Sequence, residues 1–193
     1  LSHVTGITYI QPDGEMNFTG YEAPLPPHMV FEPNWDILEK YSRIEHFIKS
    51  PLTRPDFYTD KRTYEPHRKG KKMGVVIATK GCVARCTFCH RWDKGFRAIP
   101  VDTIISRIEE MVRRYNVGFV SLSDENFGSD RNQARELLKR LKPLDMLWHV
   151  SGVRVRSVNP ELLRDMRDAG CVGVYYGMET GSPAILKVME KKA

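Results

Sequence analysis

From residue 73 onward, short apolar runs alternate with stretches of helical spacing. The four runs are Met73-Gly74-Val75-Val76-Ile77-Ala78, Val117-Gly118-Phe119-Val120-Ser121-Leu122, Met146-Leu147-Trp148-His149-Val150 and Cys171 to Tyr176. Each is too short for a helix and rich in β-branched or aromatic side chains, so each predicts a buried strand. After the first, Val101, Ile104, Ile105, Ile108, Met111, Val112 and Tyr115 recur at helical spacing. Glu109 with Arg113, and Glu110 with Arg114, add i,i+4 pairs on the outer face. Ser129 or Asp130 caps a second helix through Ala134, Leu137, Leu138 and Leu141, stopped by Pro143. Asn159-Pro160 opens a third, with Leu162, Leu163 and Met166 facing in and Gly170 closing it. Ser182-Pro183 opens a last helix carrying Ile185, Leu186 and Met189. Four strands, each followed by a helix, imply a parallel sheet with right-handed crossovers. An open doubly wound sheet and part of a barrel both fit this pattern.

Residues 1–72 are less regular. Gly6-Ile7-Thr8-Tyr9-Ile10 predicts a short strand, Pro12-Asp13-Gly14 a turn, and Met16-Asn17-Phe18 the returning arm of a hairpin. Pro24-Leu25-Pro26-Pro27 favours extended chain. Asn34 caps an expected helix with apolar positions at Ile37, Leu38, Tyr41, Ile44 and Phe47, ended by Ser50-Pro51.

Composition adds little to the fold. Among 193 residues, 41% hydrophobic and 28% charged is ordinary for a globular protein. No apolar run is long enough to span a bilayer and no secretory segment is present, so a reducing, cytoplasmic setting is expected. The chain begins at Leu1 and ends as the fourth helix finishes, which reads as a fragment. Charge is uneven. Lys61 to Lys72 holds a net +5 of the overall +6, with Pro66 and Gly70 inside it and no apolar period. A solvated linker is the expectation. Phosphate contacts and stacking on Tyr64 are conceivable there, but nothing reads bases, so nucleic acid is not the expected partner.

The chemistry is concentrated in Cys82-Val83-Ala84-Arg85-Cys86-Thr87-Phe88-Cys89, directly after the first predicted strand. Three thiolates on one loop suit a soft metal centre. Four protein ligands would close a zinc site or a fully ligated cluster, whereas three leave one iron of a cubic cluster open. Zinc with His90 as a fourth ligand is the chief alternative, although structural zinc sites usually pair two separated ligand clusters. A disulfide does not suit four cysteines without a secretory context, and Cys171 reads as a small buried residue. His46 and His149 read as core or surface residues.

The loop, with Phe88 before its last cysteine, resembles the cluster motif of the radical S-adenosylmethionine (radical SAM) superfamily. Gly81-Cys82 through Cys89-His90-Arg91 looks like the subgroup that carries an upstream cobalamin-binding domain. The resemblance implies an α/β fold, a partial parallel (β/α) barrel of TIM-like type with about four of six βα units present. Residues 73–193 would be a truncated radical SAM domain, and residues 1–72 a linker or extension, the tail of a cobalamin domain. It further implies that Cys82, Cys86 and Cys89 hold a [4Fe–4S] cluster whose open iron binds S-adenosylmethionine. Reductive cleavage would then yield a 5′-deoxyadenosyl radical.

In parallel barrels the site lies at the carboxyl ends of the strands. The resemblance implies that Phe88 flanks the cofactor there. Ser123, Asp124 and Glu125 take the place of the family's Gly-Gly-Glu motif, from which they depart at both glycines. Asp124 and Asn126 otherwise read as loop caps. Arg154 matches a subgroup arginine and suits the methionine carboxylate, while Arg156 falls where the subgroup more often has Asp and receives no role. Gly177-Met178-Glu179-Thr180-Gly181-Ser182 is close to the family's Gly-Ile-Glu-Ser-Gly-Ser wording, which implies that Glu179 would face the S-adenosylmethionine pocket, and Gly181 allows close backbone approach. The expected partners are a small-molecule substrate and an electron donor such as flavodoxin or ferredoxin. The expected reaction is cobalamin-linked methyl transfer or cyclisation. The alternatives are a methylthiotransferase acting on RNA and a non-enzymatic metal-stabilised binding module.

Overall fold

The structure, a computed structural model, describes residues 2–21, 32–90 and 95–191. The proline run at 24–27 and Arg91 lie outside the described residues.

The N-terminal hairpin forms as its turn signal predicts. Strand β1 (Thr8–Ile10) pairs antiparallel with β2 (Met16–Phe18). Helix α1 (Trp35–Tyr41) starts at Asn34, whose Oδ1 accepts the Ile37 N–H at 3.0 Å. The expected helix to Phe47 is not continuous. Ser42 is extended at φ −126°, and its hydroxyl bonds back to the Leu38 carbonyl, leaving only a 3₁₀ turn at Ile44–His46. No residue of α1 is buried, so no apolar face rewards a longer helix.

The basic stretch departs from the solvated linker expected of it. It follows α2 (Pro55–Tyr58) and makes two 3₁₀ turns, Lys61–Tyr64 and Pro66–Arg68. Arg68 is only 6% exposed, because its guanidinium pairs with Glu65 and with both the carbonyl and carboxylate of Asp145. Phe57 is fully buried against Met73, Phe119 and Leu147. Part of the N-terminal segment is therefore packed on the domain rather than free of it.

The strands that follow are β3 (Lys72–Val76), β4 (Thr79–Cys82), β5 (Gly95–Ala98), β6 (Val117–Phe127), β7 (Leu147–Val153) and β8 (Cys171–Tyr176). Helices α3 (Val101–Tyr115), α4 (Arg131–Leu141), α5 (Pro160–Asp168) and α6 (Pro183–Val188) alternate with them. The order β3-β6-β7-β8 forms one parallel sheet, with Val75 beside Ser121, Ser121 beside His149 and His149 beside Gly173. This is the α/β fold of a partial parallel (β/α) barrel.

The helix caps behave as their residue types require. Asp130 accepts the N–H groups of Asn132 and Gln133, Asn159 that of Leu162, and Ser182 that of Ile185. The main core lies between sheet and helices and includes Ile104, Ile108, Leu137, Phe127, Trp148 and Met166. Trp148 is fully buried, and its Nε1–H donates to the Ala169 carbonyl at 2.7 Å. The other sheet face is the barrel interior. Its floor is Met73, Phe119 and Leu147, closed from below by Phe57, whose ring meets Phe119 edge-on at 5.2 Å. Burying such an aromatic ring stabilises by about 1.5–3 kcal/mol.

Two strand boundaries differ from the sequence reading. The first apolar run leaves the sheet after Val76, and residues 79–82 pair instead with β5, a strand the sequence did not announce. The second strand continues five residues past Leu122, to Phe127.

Candidate active site

Cys82 is the last residue of β4 and lies opposite Gly95 of β5, so Cys86 and Cys89 fall in the loop between the arms of an antiparallel hairpin. All three thiols are free, with Cys82 and Cys86 half-buried and Cys89 exposed. The Cys89 N–H donates to the Cys86 carbonyl at 3.2 Å, which folds these two residues into one turn. The Ala84 N–H donates to Cys82 Sγ at 3.4 Å. Among the described residues, no three His, Cys, Asp or Glu side chains converge closely enough to hold a metal ion. The donor set nevertheless suits a thiolate-ligated cluster: three uncommitted sulfurs on one accessible loop, one of them already accepting a backbone N–H. Cys171 takes no part. It lies in the helix-side core, and burial pushes its thiol up to about 12.

The base of this loop is clamped from β6 and α4. Asp124 Oδ1 accepts the N–H groups of Ala78 at 2.6 Å and Thr79 at 3.1 Å. Gln133 Nε2 donates to the carbonyls of Ala78 at 3.0 Å and Ile99 at 3.2 Å. The polar run Ser123-Asp124-Glu125-Asn126 alternates as a strand must. Ser123 and Glu125 are exposed while Asp124 and Asn126 are buried. Ser123 Oγ lies 3.2 Å from Ser121 Oγ on the same face. Asp124 is thus turned into the protein, and burial raises its carboxyl to about 6 against the opposing pull of the Ala78 and Thr79 N–H groups. Its Oδ2 has no hydrogen-bond partner among the described residues. Asn126 is fully buried, its Oδ1 3.5 Å from Ser157 Oγ.

Gly152 lets β7 close on the tip of β6. Its φ is +69°, and a Cβ there would stand 1.9 Å from the Asp124 carbonyl oxygen. Arg154, two residues on, reaches a cavity of about 590 Å³ beside the cysteine loop. The same cavity is lined by Arg85 of that loop and by Lys187, Glu190 and Lys191 at the end of α6. Glu179, with a left-handed φ of 52°, pairs with Lys191, whose ammonium also lies 5.6 Å from the centre of the Phe88 ring. The Thr87 N–H donates to the Met189 carbonyl at 3.0 Å. The structure therefore gathers the cysteine loop, Phe88, Arg154 and Glu179 around the end of α6. Ser123 and Glu125 do not line this cavity.

Sequence reasoning missed Arg85 and Lys191 in this neighbourhood. It also missed Asp56, which accepts the Tyr175 hydroxyl at 2.6 Å and lies 3.2 Å from His149 Nδ1. His149, which the sequence left as a core or surface residue, lies in the core. It is buried between the rings of Phe57 and Tyr175, and burial lowers its pKa against the opposing pull of Asp56. Nothing in the sequence tied Asp56 to a position so distant along the chain.

A parallel βα sheet with a thiol-bearing hairpin at the carboxyl end of its first strand has the layout of a barrel-type enzyme core. The profile described as the Radical SAM superfamily matches residues 76–193, and the chain belongs to that superfamily. It is similar to the cytidylyl-2-hydroxyethylphosphonate methyltransferase of Streptomyces wedmorensis, 28% identical over 70% of this chain and 26% of that protein. It is similar to the anaerobic magnesium-protoporphyrin IX monomethyl ester cyclase of Rubrivivax gelatinosus, 28% identical over 98% of this chain and 31% of that one. Similarity to the bacteriochlorophyllide d C-12(1)-methyltransferase of Chlorobaculum tepidum is 29% over 98% of this chain and 40% of that protein. The chain thus spans well under half of these relatives, all of which carry enzyme names. No helix among the described residues is long and apolar enough to cross a membrane.

Proposed function

We propose that this chain is the cofactor-binding core of a radical SAM enzyme, and that the whole protein is a cobalamin-linked methyltransferase or cyclase acting on a small molecule. The observation that carries the reading is the confinement of three free thiols, Cys82, Cys86 and Cys89, to one hairpin loop at the end of the first barrel strand. These thiolates would hold a [4Fe–4S] cluster with one iron left for S-adenosylmethionine. Such a cluster would supply the one electron that splits the sulfur–C5′ bond of S-adenosylmethionine into methionine and a 5′-deoxyadenosyl radical.

The remaining roles belong to the protein. Asp124 and Gln133 hold the root of the cysteine loop, which fixes where that loop starts relative to β6 and α4. Arg154 offers a planar fork to the methionine carboxylate. Glu179 offers a carboxylate to the amino group or ribose, and the Phe88 ring gives a flat apolar flank. Ser123 and Glu125 present polar groups on the accessible face of β6. Cobalamin use is supported by the subgroup wording of the cysteine loop, and methyl transfer or cyclisation by the names of the relatives. An electron donor of the flavodoxin or ferredoxin type and a reducing, cytoplasmic compartment complete the reading.

Anaerobic reconstitution with iron and sulfide tests it. The expected result is a brown protein with iron and sulfide at cluster stoichiometry and a reduced-cluster spectrum that changes on adding S-adenosylmethionine. A colourless protein that retains zinc, with no such change, overturns it.

A further inference from the structure

The cavity beside the cysteine loop holds more positive charge than one methionine carboxylate requires. Among the described residues, Arg85, Arg154, Lys187 and Lys191 line it, with Glu190 as the one acid. Lys191 is neutralised by Glu179. Arg154 has the role proposed above. Arg85 and Lys187 remain. Both are exposed, and neither has a side-chain hydrogen bond or ion pair among the described residues. They come from two separate elements, the cysteine loop and α6, and meet across one concave space.

We propose that Arg85 and Lys187 form an oxyanion-binding subsite for the substrate, which therefore carries a phosphate, phosphonate or carboxylate group. The inference rests on the reading of Arg154 and the thiols given under the proposed function, and it deepens that reading by naming a substrate class. A guanidinium fork and a compact ammonium lining one cavity suit an anion with several oxygens, some taken in parallel hydrogen bonds and others by charge. The shape favours a small molecule. A space of about 590 Å³ lies within the usual range of ligand pockets, whereas a protein partner needs a broad surface of about 800 Å² per side. The position also serves the chemistry. An anion anchored between Arg85 and Lys187 places the rest of its molecule next to the loop that carries the cysteines.

The test is calorimetric titration of the anaerobically reconstituted protein with inorganic phosphate, methylphosphonate and acetate at physiological salt. It is run with and without S-adenosylmethionine, on wild type, Arg85→Gln, Lys187→Gln and the double variant. Far-UV circular dichroism checks the fold of each, and Arg85→Lys serves as the conservative control. The expected result is saturable binding of at least one oxyanion, weakened about tenfold or more in the double variant and partly restored in Arg85→Lys. S-adenosylmethionine affinity, from equilibrium dialysis, should stay within about twofold.

Oxyanion binding that does not saturate, or that survives the double variant, overturns the proposal. Competition between the oxyanion and S-adenosylmethionine, with both lost in Arg85→Gln, overturns it too, because the cavity would then hold the methionine carboxylate. Variants that slow electron delivery from reduced flavodoxin while leaving oxyanion binding intact would make the patch a protein-docking surface, which also overturns it. A wild-type protein that binds the oxyanion at Arg85 and Lys187 but never S-adenosylmethionine would support the subsite and sink the cofactor reading instead.

Discussion

The Asp124 carboxylate accepts the Ala78 N–H at 2.6 Å, so the tip of β6 grips the chain where it leaves β3 for the cysteine loop. Burial raises this carboxyl from 3.8 to about 6, so the folded protein holds the proton more tightly than the unfolded chain does. Its contribution to stability is therefore greatest below the unfolded value and falls as pH rises through the window up to about 6. Above that window the penalty is fully present, at roughly 3 kcal/mol. His149 has the opposite sign: its lowered pKa makes its contribution fall as pH falls. Asp124→Asn keeps an acceptor for Ala78 and Thr79 and removes the ionisation. Urea denaturation at pH 4.5 and 7.5 should show the variant gaining on wild type at the higher pH. An unchanged difference between the two pH values would mean that Asp124 does not titrate in this window.

Phe57 closes the floor of the barrel from a segment that precedes the family match. Phe57→Ala should cost about 3–5 kcal/mol, as expected for emptying a packed aromatic site. Phe57→Leu should cost less. If residues 51–72 were only a tether, the loss would stay near 0.5 kcal/mol, as for an ordinary surface change. Denaturant midpoints decide between the two.

Each of Cys82→Ser, Cys86→Ser and Cys89→Ser should abolish the visible absorbance of the reconstituted cluster and most of the bound iron. Cys171→Ala should retain both, because that thiol faces the helix-side core. Iron and sulfide assays on the four variants check this. Full iron loading in any of the first three would exclude that residue as a ligand.

Arg154→Gln should weaken S-adenosylmethionine binding by tenfold or more while leaving iron content unchanged, since a hydrogen bond to a charged group contributes about 1.5–3 kcal/mol. Arg154→Lys should recover only part of the affinity, because an ammonium lacks the fork. Equilibrium dialysis on cluster-loaded protein measures both. Equal affinity in wild type and Arg154→Gln would remove Arg154 from the cofactor site.

What could be read in the sequence was what is decided locally. Asn34, Asp130, Asn159 and Ser182 each cap a helix because a side-chain acceptor two or three residues before an orphan N–H acts without help from the fold. The four barrel strands were legible from their apolar runs, and the cysteine motif from its spacing. Strand β5 was not, because Gly95-Phe96-Arg97-Ala98 has no marked alternation and exists through its pairing with β4. The continuation of β6 was hidden because Ser123, Asp124, Glu125 and Asn126 are all polar, and alternation is invisible when both faces carry the same class of residue. Phe57 lies in a helix of four residues, too short to show a period. Lys191 reached the site through α6, whose path the strand–helix pattern does not specify.

The hydrogen bond from Thr87 to Met189 sets a condition on the order of events in the cell. The loop bearing the sulfurs is braced by residues synthesised about a hundred positions later, so a ribosome that has just released Cys89 has not yet made the brace. Metal delivered at that moment would meet three thiols with no fixed arrangement. If the thiols take a cluster as proposed, its loading is expected to follow translation of α6, as a step of maturation.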